Sequence, residues 1–244
     1  MKLHLIPILA TAALALTLTA CSPQQSELPQ QQDAPQAEQA SVPEPQPQEE
    51  SIPEDFKTRD YTGYQELDDI LNAIALKTMQ TTNSLQSQLD AFFAACNDSW
   101  DGYNANKQQL TDWYATAIQE STDLYTFIQV QTDAYHQLLL NNPEYSEYKV
   151  WNDALSESYD IWNDALSDYY GDWNDMFSDI YRDCDDMIGD GYDVVSYSEY
   201  QETWDEFYEA RQDAWDEMYE LRQDAWDDLY EARQDTWDEL YDRR

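Results

Sequence analysis

Residues Arg211–Arg243 read RQDAWDEMYEL RQDAWDDLYEA RQDTWDELYDR, the same eleven letters three times over, with a looser copy around Trp204 before them. At 100° per residue, Trp215, Met218, Tyr219, Leu221, Arg222 and Ala225 fall on one face of a helix. Asp216, Glu217, Glu220, Gln223 and Asp224 occupy the other, so one side is aromatic and aliphatic and the opposite side acidic. Eleven residues close three turns at about 3.67 residues per turn, near the natural 3.6, which keeps the stripe almost straight. No Gly or Pro interrupts the chain from Tyr192 to its end, and Ala, Leu, Glu, Gln and Arg favour helix. A long amphipathic helix is the expectation.

The same spacing runs upstream. Trp151, Trp162 and Trp173 are eleven residues apart, and Cys184 follows in phase. Apolar residues recur at helical intervals from Leu67 through Leu85, Phe92, Tyr114 and Ile128 to Leu139. Beyond Asp55 the chain has five glycines and one proline, Pro143, which leaves little material for strands and tight turns. In "NNPE", Asn142 is a natural N-cap and Pro143 suits a first helical position. The phase is lost across "IGDGYDVVS", which predicts a loop. The stretch "NDSWDGYNAN", residues 97–106, has turn-like composition, although Phe92, Tyr103, Tyr114 and Tyr125 keep an eleven-residue step through it.

A reversal near Asn142 would place residues 97–104 level with the loop at 189–196. Together these features predict an all-α fold, an elongated antiparallel bundle of three or four long, coiled-coil-like helices built on eleven-residue (hendecad) repeats. The expected helices cover roughly 60–97, 104–141, 144–188 and 197–244, and the alternative is one long first helix packed against the other two.

The amino terminus differs in kind. Met1–Ala20 has a Lys2-containing head and an apolar run too short to span a bilayer comfortably, as in a secretory signal. It ends in Leu18-Thr19-Ala20-Cys21, which resembles the lipobox of bacterial lipoproteins. The resemblance covers the export signal alone. It implies cleavage before Cys21, acylation of that cysteine and an extracytoplasmic protein anchored to a bacterial membrane. Residues 21–55, rich in Pro, Gln, Glu and Ser, then read as a disordered tether. Fully extended, it would reach on the order of 100 Å. The bundle domain is expected over 56–244.

A formal net charge of −39 over 244 residues narrows the partners. Phosphates are repelled, which excludes nucleic acid, and anionic lipid is repelled too, leaving the acyl anchor as the membrane contact. A basic protein partner fits this charge, and self-association is a separate possibility. His136 is the one histidine after Cys21, so no histidine cluster can form, and a partly buried structural role is expected. Gly-rich phosphate loops, HExxH, CxxC and nucleophile-elbow motifs are absent from the sequence. Interchangeable repeats also lack the unique positions an active site needs. The chain reads as a non-enzyme without a cofactor.

Four sets of residues carry more specific expectations. Cys96 and Cys184, nearly equidistant from the reversal, are candidates for a disulfide, the alternative being two inert buried thiols. The loop after Asp186 resembles an EF-hand calcium loop, with Asp186 and Asp190 as ligands, Gly191 at the turn and Glu199 as the bidentate acid. It departs from that pattern at Ile188, where an acid belongs, and in Glu199, two residues late. A plain turn closed by a Ser196–Glu199 capping box is the competing reading. Arg211, Arg222 and Arg233 lie in the apolar arc, where a charge is costly unless paired, so inter-helix ion pairs with acids of a neighbouring helix are expected. The Trp and Tyr rows either form core or stack on sugar rings. The function that follows is an acidic, lipid-anchored scaffold or spacer of the cell envelope; the rival is a binding module for calcium, a basic protein or a glycan.

Overall fold

The computed structural model describes residues 52–244. The described chain is all-helical: α1 (Gln65–Cys96), α2 (Trp100–Asn141), α3 (Tyr148–Gly189) and α4 (Tyr197–Asp242) pack together, with single 3-10 turns at Pro143–Tyr145 and Asp190–Asp193. No strand occurs among the described residues. The signal segment, Cys21 and the tether up to residue 51 lie outside them. At 1.5 Å per residue, the 42-residue helices α2 and α3 are each about 63 Å long.

The break expected between 97 and 106 occurs at its very start. Asn97 and Asp98 take left-handed backbone angles, φ 51° and 44°, a conformation that Asn and Asp tolerate better than other non-glycine residues. Ser99 restarts the chain by accepting from the Gly102 N–H at 3.2 Å, and its hydroxyl donates to the Cys96 carbonyl at 3.0 Å. The reversal therefore needs three residues, and α2 begins at 100 instead of 104.

At the opposite end the Asn142 side chain accepts from the Glu144 N–H at 3.0 Å, as its capping role requires. Pro143 opens only a 3-10 turn, however, and α3 starts at Tyr148. That turn carries the buried Tyr145 ring into the end of the core, edge-on to Tyr64 at 5.1 Å.

Cross-helix bonds give the directions. In α1 and α2, Trp113 Nε1 donates to the Leu85 carbonyl (3.0 Å) and Asn106 Nδ2 to the Ala95 carbonyl (3.3 Å), an antiparallel pairing. The Tyr135 hydroxyl donates to the Ala154 carbonyl at 2.9 Å, and the Ser121 and Tyr169 hydroxyls share a bond at 2.8 Å, so α2 and α3 also run oppositely. Lys107 pairs with Glu206 at 3.4 Å, and Arg243 Nη1 donates to the Leu140 carbonyl at 2.6 Å, which makes α2 and α4 parallel neighbours. α1 and α4 sit at opposite corners.

The first helix starts at 65, not 60, because the chain before it is a strap. Arg59 and Asn72 exchange two hydrogen bonds at 2.8 Å, and the Thr62 N–H and hydroxyl both donate to Asp68 Oδ1 at 2.8 and 2.7 Å. Those bonds satisfy two buried polar side chains of α1 that would otherwise be costly. Inside the bundle, Trp151, Trp162, Trp173, Tyr169 and Phe177 of α3 are essentially inaccessible to water.

Candidate functional site

The seam between α3 and α4 repeats the same contacts every eleven residues, in opposite directions along the two helices. Trp204 Nε1 donates to Asp185 Oδ1 at 2.9 Å, Trp215 to Asn174 at 3.3 Å, Trp226 to Asn163 at 3.2 Å and Trp237 to Asn152 at 3.3 Å. Each α4 tryptophan also stacks flat on the tyrosine one turn later. Trp204–Tyr208, Trp215–Tyr219, Trp226–Tyr230 and Trp237–Tyr241 have ring centroids 4.9–5.5 Å apart and planes within 11°. An indole N–H on a polar side chain and an apolar face on a ring explain why Trp, and not Leu, fills these positions.

Arg211, Arg222 and Arg233 enter this seam, but carboxylates do not meet them. Arg211 Nε donates to the Phe177 carbonyl at 2.9 Å and Arg233 Nε to the Leu155 carbonyl at 3.3 Å. Their guanidinium carbons lie over Tyr181 (5.2 Å) and Tyr159 (4.9 Å), while Arg222 lies over Tyr170 at 4.6 Å with its Nε unpaired. Arg244 repeats the motif over Tyr148 at 4.5 Å. The expected inter-helix ion pairs are thus replaced by backbone carbonyls and the faces of α3 tyrosines. Both supply negative potential without the cost of desolvating a carboxylate.

The inner side of the same layers belongs to α2. Arg211, Arg222 and Arg233 are close enough to Tyr114, Tyr125 and His136 for their charge to act on each. Burial pushes both tyrosine hydroxyls well above their ordinary range, against the opposing pull of the arginines. His136, 3% exposed, is lowered to about 4, first by burial and then by Arg233. It is a neutral core residue.

Cys96 and Cys184 share one core cluster but are free thiols, not the expected disulfide. They lie near enough that each acts on the Tyr103 hydroxyl. Burial raises Cys96 to about 11 and Cys184 further, so neither supplies the thiolate that exchange requires, and neither is reachable from solvent. The residues of the expected calcium loop are not brought together. Asp186 remains within α3, Asp190 opens a 3-10 turn, and Glu199 lies in the first turn of α4, its N–H donating to Ser196 Oγ at 3.3 Å. No group of three or more His, Cys, Asp or Glu side chains able to hold a metal ion occurs among the described residues. Gly191 is there for space, since a Cβ would meet the Trp100 ring at 2.4 Å.

A cleft of about 490 Å³ opens between the strap, α1 and α3, where Lys57 and Arg59 face Asp164, Asp168 and Asp172. Partial burial raises the Asp172 carboxyl, and the neighbouring Asp168 and Asp175 raise it further. The cleft brings opposite charges together without an unusual nucleophile. The outer edge of the α3–α4 seam is the more distinctive surface, because Tyr208, Tyr219, Tyr230 and Tyr241 are 40–48% exposed along a helix otherwise acidic on its outside. The eleven-residue phase of these tyrosines was visible in the sequence; their pairing with α3 was not. No described helix is long and apolar enough to cross a membrane. Comparison with family models, curated proteins and solved structures finds no match, so the chemistry of these surfaces carries the functional reading.

Proposed function

We propose that this chain is a lipid-anchored, acidic helical scaffold or spacer of the bacterial cell envelope, acting through its surface in protein interaction. The observation that carries the reading is the repetition of one Trp–Asn rung along α3 and α4. A coiled-coil-like, hendecad-repeated and elongated bundle is a unit of length, since each copy extends a helix by ~16 Å without changing the seam. Catalysis would instead call for unique, perturbed groups in a cleft, and the strongly perturbed groups here are buried tyrosines, thiols and one neutral histidine.

In this reading Cys21 carries the acyl chains, residues 22–55 hold the bundle away from the bilayer, and the charge keeps it dispersed. The test is metabolic labelling with a fatty acid followed by membrane fractionation. The wild type should label and sediment with membranes, whereas Cys21→Ser should do neither. An unlabelled, soluble wild type would end the anchored-scaffold reading. A binding module for a basic protein or a glycan is the second reading, favoured by the exposed α4 tyrosines.

A further inference from the structure

We propose that the outer row Tyr208, Tyr219, Tyr230 and Tyr241 of α4 is a docking surface for an arginine-rich segment of a partner polypeptide. Each of these rings is stacked by its tryptophan at 4.9–5.5 Å and is still 40–48% exposed, although Tyr219 and Tyr230 also meet Tyr170 and Tyr159 of α3 at 6.3 and 6.5 Å. Among the described residues no cation of the chain lies over any of the four. The tyrosines of α3 differ in this respect. Tyr148, Tyr159, Tyr170 and Tyr181 are each covered by one of the molecule's own arginines, at 4.5–5.2 Å. The seam therefore contains a template for seating a guanidinium on a tyrosine every eleven residues, filled on α3 and open on α4.

Charge selects the same occupant. Every open ring is flanked by exposed acids, Asp216 and Glu220 in the case of Tyr219, and the protein carries a formal net charge of −39. A phosphate-bearing ligand or a second copy of this chain would be repelled, and a neutral polymer would gain the rings but leave the carboxylates to be desolvated. Arginine fits better than lysine because its planar, weakly hydrated guanidinium stacks on aromatic faces while still donating to carboxylates. The rings are ~16 Å apart along the helix. An extended segment would thus match with an arginine about every fifth residue, and several weak contacts would add through multivalency.

This inference deepens the scaffold reading, and it is tested independently of anchoring. A synthetic oligoarginine peptide is titrated into the full chain at physiological ionic strength, with tryptophan fluorescence as the signal. Replacing all four tyrosines with leucine leaves the net charge unchanged and should weaken binding by about tenfold or more, whereas the four Tyr→Phe changes, which keep the rings, should stay within about threefold. If the fourfold leucine variant does not fold, Tyr219→Leu and Tyr230→Leu singly should each weaken binding by about two- to threefold. Unchanged oligoarginine affinity in the leucine variants would overturn the proposal in favour of diffuse charge attraction. Binding of a neutral oligosaccharide that is lost in those variants while oligoarginine binding persists would overturn it in favour of a glycan surface.

Discussion

Arg211 rests on the Tyr181 ring of the neighbouring helix, its guanidinium carbon 5.2 Å from the ring centroid, while its Nε donates to the Phe177 carbonyl at 2.9 Å. Arg222, one repeat along, keeps the ring contact at 4.6 Å but has no acceptor for Nε. The two arginines should therefore differ in worth. Arg211→Leu loses a charge-assisted hydrogen bond and should cost about 1–2 kcal/mol. Arg222→Leu should cost less, by about 1 kcal/mol, because it also removes an unsatisfied donor. Urea melts of the two variants check the order, and equal losses would mean the carbonyl bond contributes nothing.

The rung hydrogen bonds should show as coupling. Trp226 Nε1 and Asn163 Oδ1 are 3.2 Å apart in a half-buried seam. Asn163→Ala should destabilise by about 1 kcal/mol, and a double-mutant cycle with Trp226→Phe should show a similar interaction energy. Additive losses would mean that the rung is packing alone.

His136 gives the stability a pH dependence of known sign. Its folded value, about 4, lies below the ordinary 6.5 because burial and then Arg233 disfavour the imidazolium. Between those values the unfolded chain binds the extra proton, so stability is full above about pH 6.5 and is lost as pH falls towards 4, by roughly 3 kcal/mol at most. Glu157 and Asp172, both raised by burial, act in the opposite sense and gain stability as pH falls. His136→Tyr isolates the histidine contribution and continues the eleven-residue step of Tyr114 and Tyr125. Its stability relative to wild type should rise as pH is lowered from 7 to 5, and a difference independent of pH would refute the assignment.

Gly102 should tolerate no side chain. A Cβ there would sit 1.7 Å from the Cys96 carbonyl oxygen, which is backbone and cannot swing away. Gly102→Ala should cost roughly 3 kcal/mol or more in a thermal or urea melt. Gly171, with nothing within 4 Å of its Cβ position, should gain slightly on substitution by Ala. A harmless Gly102→Ala would mean that the α1–α2 turn is looser than described.

The helices were legible because their signals are local. Apolar periodicity, Pro143 and the phase loss after Ile188 lie within a few residues of what they decide, and the ends fall within about five residues of expectation. The strap was missed because Asp60 and Gly63 make a local turn, their bond 2.9 Å long, inside a stretch that otherwise resembles helix. The arginine partners were missed for a different reason. A backbone carbonyl leaves no mark in the sequence, and the step from Tyr148 to Tyr159, Tyr170 and Tyr181 gains meaning only once the register against α4 is known. The cysteines illustrate the same limit, since near-equal distance from the turn brings two thiols to one layer without making a bond.

The proposed spacer role requires a single register between α3 and α4, and cross-linking measures that register most directly. Cysteines are placed at Asn163 and Trp226 in one variant, and at Asn163 and Trp215 in another, with a thiol cross-linker of about 10 Å, shorter than the ~16 Å rise of one repeat. The first pair should link within one chain and the second should not, because Trp226, not Trp215, faces Asn163. Equal linking of both pairs would mean that the helices slip by whole repeats, and linking of the second pair alone would place the seam in another register; either result would contradict the account.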